Sequence, residues 1–145
     1  MGIFDFFKKS KNIENDNGLN ETFYKKSGRL KERFHKENGV RHGKYEAFYD
    51  DVNQTIHLIG NYNSGKLNGE CRYWSILQPF GGGCWRYIEN YENGELRNRK
   101  VYYTGASKPL DSIKKIRTLA NEKNFEPGNS EKGFIEEDIS NRKNI

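Results

Sequence analysis

The side chains best suited to chemistry are few and scattered. His35, His42 and His57 stand 7 and 15 residues apart, and Cys71 and Cys84 stand 13 apart. Neither pattern matches the close pairs from which zinc sites are built. The glycine run "FGGGCW" at 80–85 lacks the Lys-Ser/Thr that closes a phosphate-binding loop, and no strand–helix–strand pattern surrounds it. It reads as a hairpin tip. Asp50-Asp51 falls on a turn and Glu136-Glu137-Asp138 on a polar tail, so neither acidic cluster is enclosed. No Ser/His/Asp or Cys/His order stands out. The expectation is a non-enzymatic protein with no catalytic residue, no metal and no cofactor.

The elements around these residues repeat. Aromatic pairs occur at Phe23-Tyr24, Phe48-Tyr49, Tyr73-Trp74 and Tyr102-Tyr103, with spacings of 25, 25 and 29. Turn glycines Gly39, Gly65 and Gly94 are spaced 26 and 29, and four residues after each come Gly43, Gly69 and Asn98. Asn38-Gly39 and Asn93-Gly94 are dipeptides that tolerate positive φ at both centres of a hairpin turn; Ser64-Gly65 is a weaker version. The glycines at 39, 65 and 94 are therefore expected in turns, and Gly43 and Gly69 at bulges or close approaches. Short aromatic-rich segments flank them, with Ile56, Leu58 and Tyr62 expected on one face of one strand and Trp85, Tyr87 and Tyr91 on one face of another. A partial earlier unit places Ser27-Gly28 in a turn. A hairpin is marginal by itself and needs neighbours. The predicted fold is mainly β: an elongated single-layer antiparallel sheet of hairpin repeats over 22–105, about three and a half units.

Composition agrees with a thin, ring-rich sheet. Hydrophobic residues make up 33% and charged residues 31%, which leaves few aliphatic side chains for a deep core. Aromatics reach 14%, and such rings suit half-exposed strands. The net charge of +5 is carried by residues 22–105, with 14 Lys+Arg against 9 Asp+Glu. With no run of five basic residues and no nucleic-acid motif, no nucleic-acid partner is expected.

Outside the repeats, residues 1–12 place Ile3, Phe6 and Phe7 on one helical face with three lysines behind. This predicts a short amphipathic helix capping the sheet, with weak membrane-surface contact as the alternative. Phe6 stands where a myristoylation motif needs Ser or Thr. Residues 13–21 read as a linker. Residues 107–123 read as a C-terminal helix, opened by Pro109 and striped by Leu110, Ile113, Ile116 and Ala120. Residues 124–145 are polar enough to be expected disordered, although Phe134, Ile135 and Ile139 suit a segment that orders on a partner. With no export signal, a cytoplasmic location and reduced cysteines are expected.

The order aromatic pair, turn, strand, "NG-x-x-x-G", strand, aromatic pair resembles the MORN repeat in its bacterial variant form. "FYKKSGRLKERFHKENGVRHGKYEAFYDD" and "GNYNSGKLNGECRYW" carry it most clearly, and Asn98 departs from it. Small bacterial chains of such repeats include immunity and antitoxin proteins of the YwqK type. The resemblance therefore implies a protein that neutralises a partner toxin by binding it. A phospholipid-associating or scaffold role is the alternative. From the residue types alone, exposed Tyr, Trp, Phe and Arg on strands are interface anchors. The candidate contact residues are Tyr45, Phe48, Tyr73, Trp74, Trp85, Arg86 and Tyr87, and strand alternation sends Tyr73 and Trp74 to opposite faces.

Overall fold

The computed structural model describes residues 14–76, 83–102 and 119–144. Among these, nine strands form one open antiparallel sheet. The strands are β1 (Gly18–Phe23), β2 (Leu30–Glu37), β3 (Val40–Phe48), β4 (Ile56–Asn63), β5 (Lys66–Leu67), β6 (Gly69–Ile76), β7 (Gly83–Glu92), β8 (Glu95–Tyr102) and β9 (Leu119–Asn124). Each strand pairs with its neighbour in sequence, except that the short β5 pairs only with β4 and so β6 also lies beside β4. A helix, α1 (Phe134–Asn141), and a 3-10 turn (Arg142–Asn144) follow.

Three of the turns have both central residues at positive φ: Asn38 and Gly39 at 52° and 82°, Ser64 and Gly65 at 49° and 87°, Asn93 and Gly94 at 49° and 85°. This is the backbone twist that two-residue hairpins favour. The turns also bond to one another. The amides of Gly39, Gly65 and Gly94 donate to the carbonyls of Asp16, Arg41 and Leu67, at 2.9, 2.8 and 2.8 Å. Beside them the amides of Asn38, Ser64 and Asn93 donate to Asn17 Oδ1, His42 Nδ1 and Asn68 Oδ1. At the other end of the strands, the Tyr24 hydroxyl donates to the Phe48 carbonyl and the Tyr49 hydroxyl to that of Trp74, at 2.6 and 2.7 Å. The sequence period is thus a contact period: each unit satisfies backbone groups of the next.

Gly43 and Gly69 lie at φ 90° and 86°, and a Cβ at either would meet nothing within 4 Å. Conformation, not a ring lying over bare backbone, is what these positions require. Asn98 departs from the pattern in structure too. It has no positive φ, and the extra residue of the β7–β8 pairing is Arg97, between the pairs Asn90–Asn98 and Tyr91–Leu96.

A second kind of bulge recurs near the aromatic pairs. Ala47 pairs with Leu58 and Phe48 with Ile56, leaving His57 extra. Lys31 is the extra residue between β1 and β2, and Arg86 between β6 and β7. The bulge turns His57 to the face of Leu58 and sends Ile56 to the other, so the expected shared face of Ile56, Leu58 and Tyr62 is corrected. The same shift at Arg86 sets Trp85 opposite Trp74 and Cys84 opposite Ser75, while Cys71 lies opposite Glu89.

The core is one apolar cluster on one face of the sheet, built from Phe34, Tyr45, Leu58, Tyr62, Cys71, Tyr91, Leu96 and their neighbours. Ile135 and Ile139 of α1 close it. This corrects the expected disorder of the tail: residues 119–144 are ordered, with Ile135 fully buried. The expected helix over 107–123 is also corrected at its end, where 119–123 belong to β9 and pair with β8. The rest of that helix and the N-terminal helix over 1–12 lie outside the described residues.

Candidate functional site

The two faces of the sheet differ in chemistry. The register sets Glu21, Arg33, Glu46, Ile59, Arg72, Ile88, Lys100 and Glu122 in one row across the face away from α1. Arg33 pairs with Glu21 at 3.1 Å and lies over the Phe48 ring, 5.7 Å from its centroid. Phe48 is buried.

The face beneath α1 carries rings and buried charge. At its centre Glu89, fully buried, accepts four hydrogen bonds. Oε1 takes the Tyr91 hydroxyl at 2.9 Å and the Ile135 amide at 2.8 Å. Oε2 takes Arg99 Nε at 2.9 Å and the Phe134 amide at 3.0 Å. The carboxylate thus caps the helix from a strand, where its charge also suits the positive end of the helix dipole. Arg99 lies 3.7 Å from the centroid of the Phe134 ring and reaches Glu131 at 2.8 Å. Arg99 holds the Glu131 carboxyl below its ordinary range.

A second polar centre sits at the other end of α1. His57, buried, meets Asp138 with Nε2 at 3.1 Å from Oδ2, and Arg142 Nε reaches the same oxygen at 3.2 Å. Burial pushes the Asp138 carboxyl up, but the hydrogen bond and charge of His57, with Arg142, outweigh it and hold it low. Lys31 donates to the Arg142 carbonyl at 3.1 Å, and burial lowers its ammonium. A third centre joins Glu32 to Thr22 at 2.9 Å and to the Tyr45 hydroxyl, with Arg41 over the Phe34, Tyr45 and Tyr62 rings. Burial, then the Glu32 carboxylate, pushes the Tyr45 phenol well up.

Between the first two centres runs a line of rings. Tyr49, His57, Tyr73, Tyr87 and Phe134 follow one another with centroids 4.4, 4.6, 4.5 and 5.1 Å apart. Of the seven residues singled out from sequence, Tyr73 and Tyr87 are half-buried in this line. Tyr45 is fully buried and Phe48 nearly so, both packed within the fold. Trp74 is half-buried and pairs with Trp85 across β6 and β7; Arg86 is the bulge residue. The side chains of Trp85 and Arg86 lie outside the described residues.

His57, which has no ligand spacing in the sequence, is buried against α1. Glu89, Arg99 and Lys31 stand out in no pattern of the sequence, and Asp138 enters only as part of the acidic cluster at 136–138. The usable signal was the period: Lys31, His57 and Arg86 are 26 and 29 residues apart, the spacing of the turns. Cys71 is a free thiol under the sheet's rings, and burial pushes it up to about 12.

An open cleft of about 410 Å³ lies between α1 and the Ser64-Gly65 and Asn93-Gly94 turns, lined in part by Lys66, Glu95, Glu136 and Ser140. Its carboxylates are engaged: Glu95 accepts from the Gly128 amide and Arg97, Glu136 from the Gly133 amide. Among the described residues no three His, Cys, Asp or Glu side chains gather as metal ligands, and no helix is long and apolar enough to cross a membrane. Comparison with protein-family models, with characterised proteins and with solved structures finds no match to this chain.

Proposed function

We propose that this chain is a non-enzymatic protein-binding repeat module, a bacterial immunity or antitoxin protein of MORN-like hairpin units that neutralises a toxin in the cytoplasm by binding it. The observation that carries the binding role is the seat of α1. A sheet face holds a helix through two buried isoleucines, a line of rings and charges placed at both helix ends. The same kinds of contact anchor one protein on another. The immunity role rests on the MORN resemblance of the repeat, supported by turns whose period is also a hydrogen-bond period.

The test is capture of a partner by the full chain in its native cell, followed by co-expression of the two. Rescue of growth from the captured protein's toxicity is the expected result; a captured protein with no toxicity removes the immunity role. Mixing the chain with anionic vesicles tests the phospholipid alternative, which predicts salt-sensitive co-sedimentation.

A further inference from the structure

α1 is eight residues long, below the length at which a helix stands alone in water, so the sheet holds it in shape. What the sheet reads is mostly generic to a helix. Glu89 takes the amides of the first turn, and Lys31 takes the Arg142 carbonyl beyond the last. Negative charge at the N-terminal end and positive charge at the C-terminal end match the helix dipole. Between them the seat accepts two apolar side chains four residues apart, Ile135 and Ile139, and one carboxylate, Asp138, at His57. Lys31 and His57 are the extra residues of equivalent bulges in successive units, and Arg86 holds that place in the next. Three of these bulges thus carry a basic residue, and the fourth, between β8 and β9, carries Ala120.

α1 is also an incomplete occupant. His57 Nδ1 is buried and has no partner among the described residues. Nor does the seat depend on α1 for its own charge balance, because Glu89 keeps Arg99 and Tyr91 if the helix leaves.

Building on the protein-binding reading, we propose that the face beneath α1 is the docking site for an acidic amphipathic helix of the partner, and that α1 fills it in cis until displaced. The partner helix carries two apolar residues one turn apart, a carboxylate facing His57, and its N-terminus at Glu89.

The test titrates a labelled synthetic peptide of residues 131–144 into the full-length chain and into its Ile135→Ala/Ile139→Ala variant. Weakening the cis occupant is expected to tighten peptide binding at least about tenfold, as expected when an internal competitor is removed. A peptide carrying Asp138→Lys is expected to lose that binding. Equal affinity of the peptide for both chains overturns the proposal. A second chain, Asp138→Asn, keeps both isoleucines and so guards against loss of fold; it is expected to bind the unaltered peptide several-fold more tightly than wild type. Peptide binding with no partner captured from cells keeps the helix seat and overturns its role in trans. A captured partner with no peptide binding keeps the protein-binding reading and overturns the seat as its site.

Discussion

Replacing Glu89 by Gln keeps the side chain's shape and turns one of its two oxygens into an amide nitrogen. One pair of donors then faces another donor: Arg99 Nε with the Phe134 amide, or the Tyr91 hydroxyl with the Ile135 amide. In either orientation the buried negative partner of Arg99, itself only 7% exposed, is gone, and half-exposed Glu131 is the carboxylate left to it. Hydrogen bonds to charged groups contribute about 1.5–3 kcal/mol each, and breaking a buried ion pair costs about 3–5 kcal/mol. That cost has an outlet, because lifting α1 lets Arg99 and the helix amides reach water. The apolar hold on α1 is two isoleucines, about 1.5–3 kcal/mol each. Glu89→Gln should therefore undock the helix before it unfolds the sheet. At about 1.4 kcal/mol per tenfold, a loss near 3 kcal/mol lowers hydrogen-exchange protection at residues 134–141 by about 100-fold. Protection in β3 and β4 should fall far less. Exchange mass spectrometry at neutral pH reads both. Unchanged protection of α1, with an unchanged urea midpoint, would refute the assignment of Glu89 as its anchor.

Further outcomes follow from the same geometry. A Cβ at Gly133 would stand 1.8 Å from the Tyr91 hydroxyl oxygen, so Gly133→Ala should destabilise by about 1–3 kcal/mol in urea unfolding and release α1. Gly43→Ala has open space but φ 90°, so it should cost about 1–2 kcal/mol by backbone strain alone and leave α1 docked. The Cys71 thiol, buried and pushed up to about 12, should resist iodoacetamide at pH 8 in the folded chain and react at the rate of opening, read by mass spectrometry of its own peptide. Because Asp138 is held below its ordinary value, its stabilisation is full above the unfolded carboxyl range, about pH 4, and drains as pH falls through the folded value. Protection of α1 should therefore fall below about pH 4, and Asp138→Asn should flatten that acid limb.

Much of the sheet is legible from dipeptides because a two-residue turn is a local decision. Asn-Gly and Ser-Gly fix the hairpins β2–β3, β4–β5 and β7–β8. The bulges at Lys31, His57 and Arg86 are not legible the same way. A bulge reverses strand alternation without a mark in composition, which is why Ile56 leaves the face of Leu58. Residues 119–123 end the helix expected over 107–123, with Ala120 the last of its apolar stripe, yet they pair with β8 as part of β9, and tertiary pairing overrides local preference. Residues 134–141 carry only two buried apolar side chains in a polar tail, so their helix is invisible until Glu89, 45 residues upstream, caps it. The rings singled out as contacts were chosen by type, and burial divides them: Tyr45 and Phe48 hold the sheet together, whereas Tyr73 and Tyr87 line the seat of α1.

The most direct test of the account is a hydrogen-exchange footprint of the captured partner on the full-length chain. If the partner replaces α1, amides of residues 134–141 lose protection on complex formation while those of β4, β6 and β7 beneath them keep or gain it. Retained protection of α1, with the footprint on the opposite face along Arg33, Ile59 and Lys100, would contradict it.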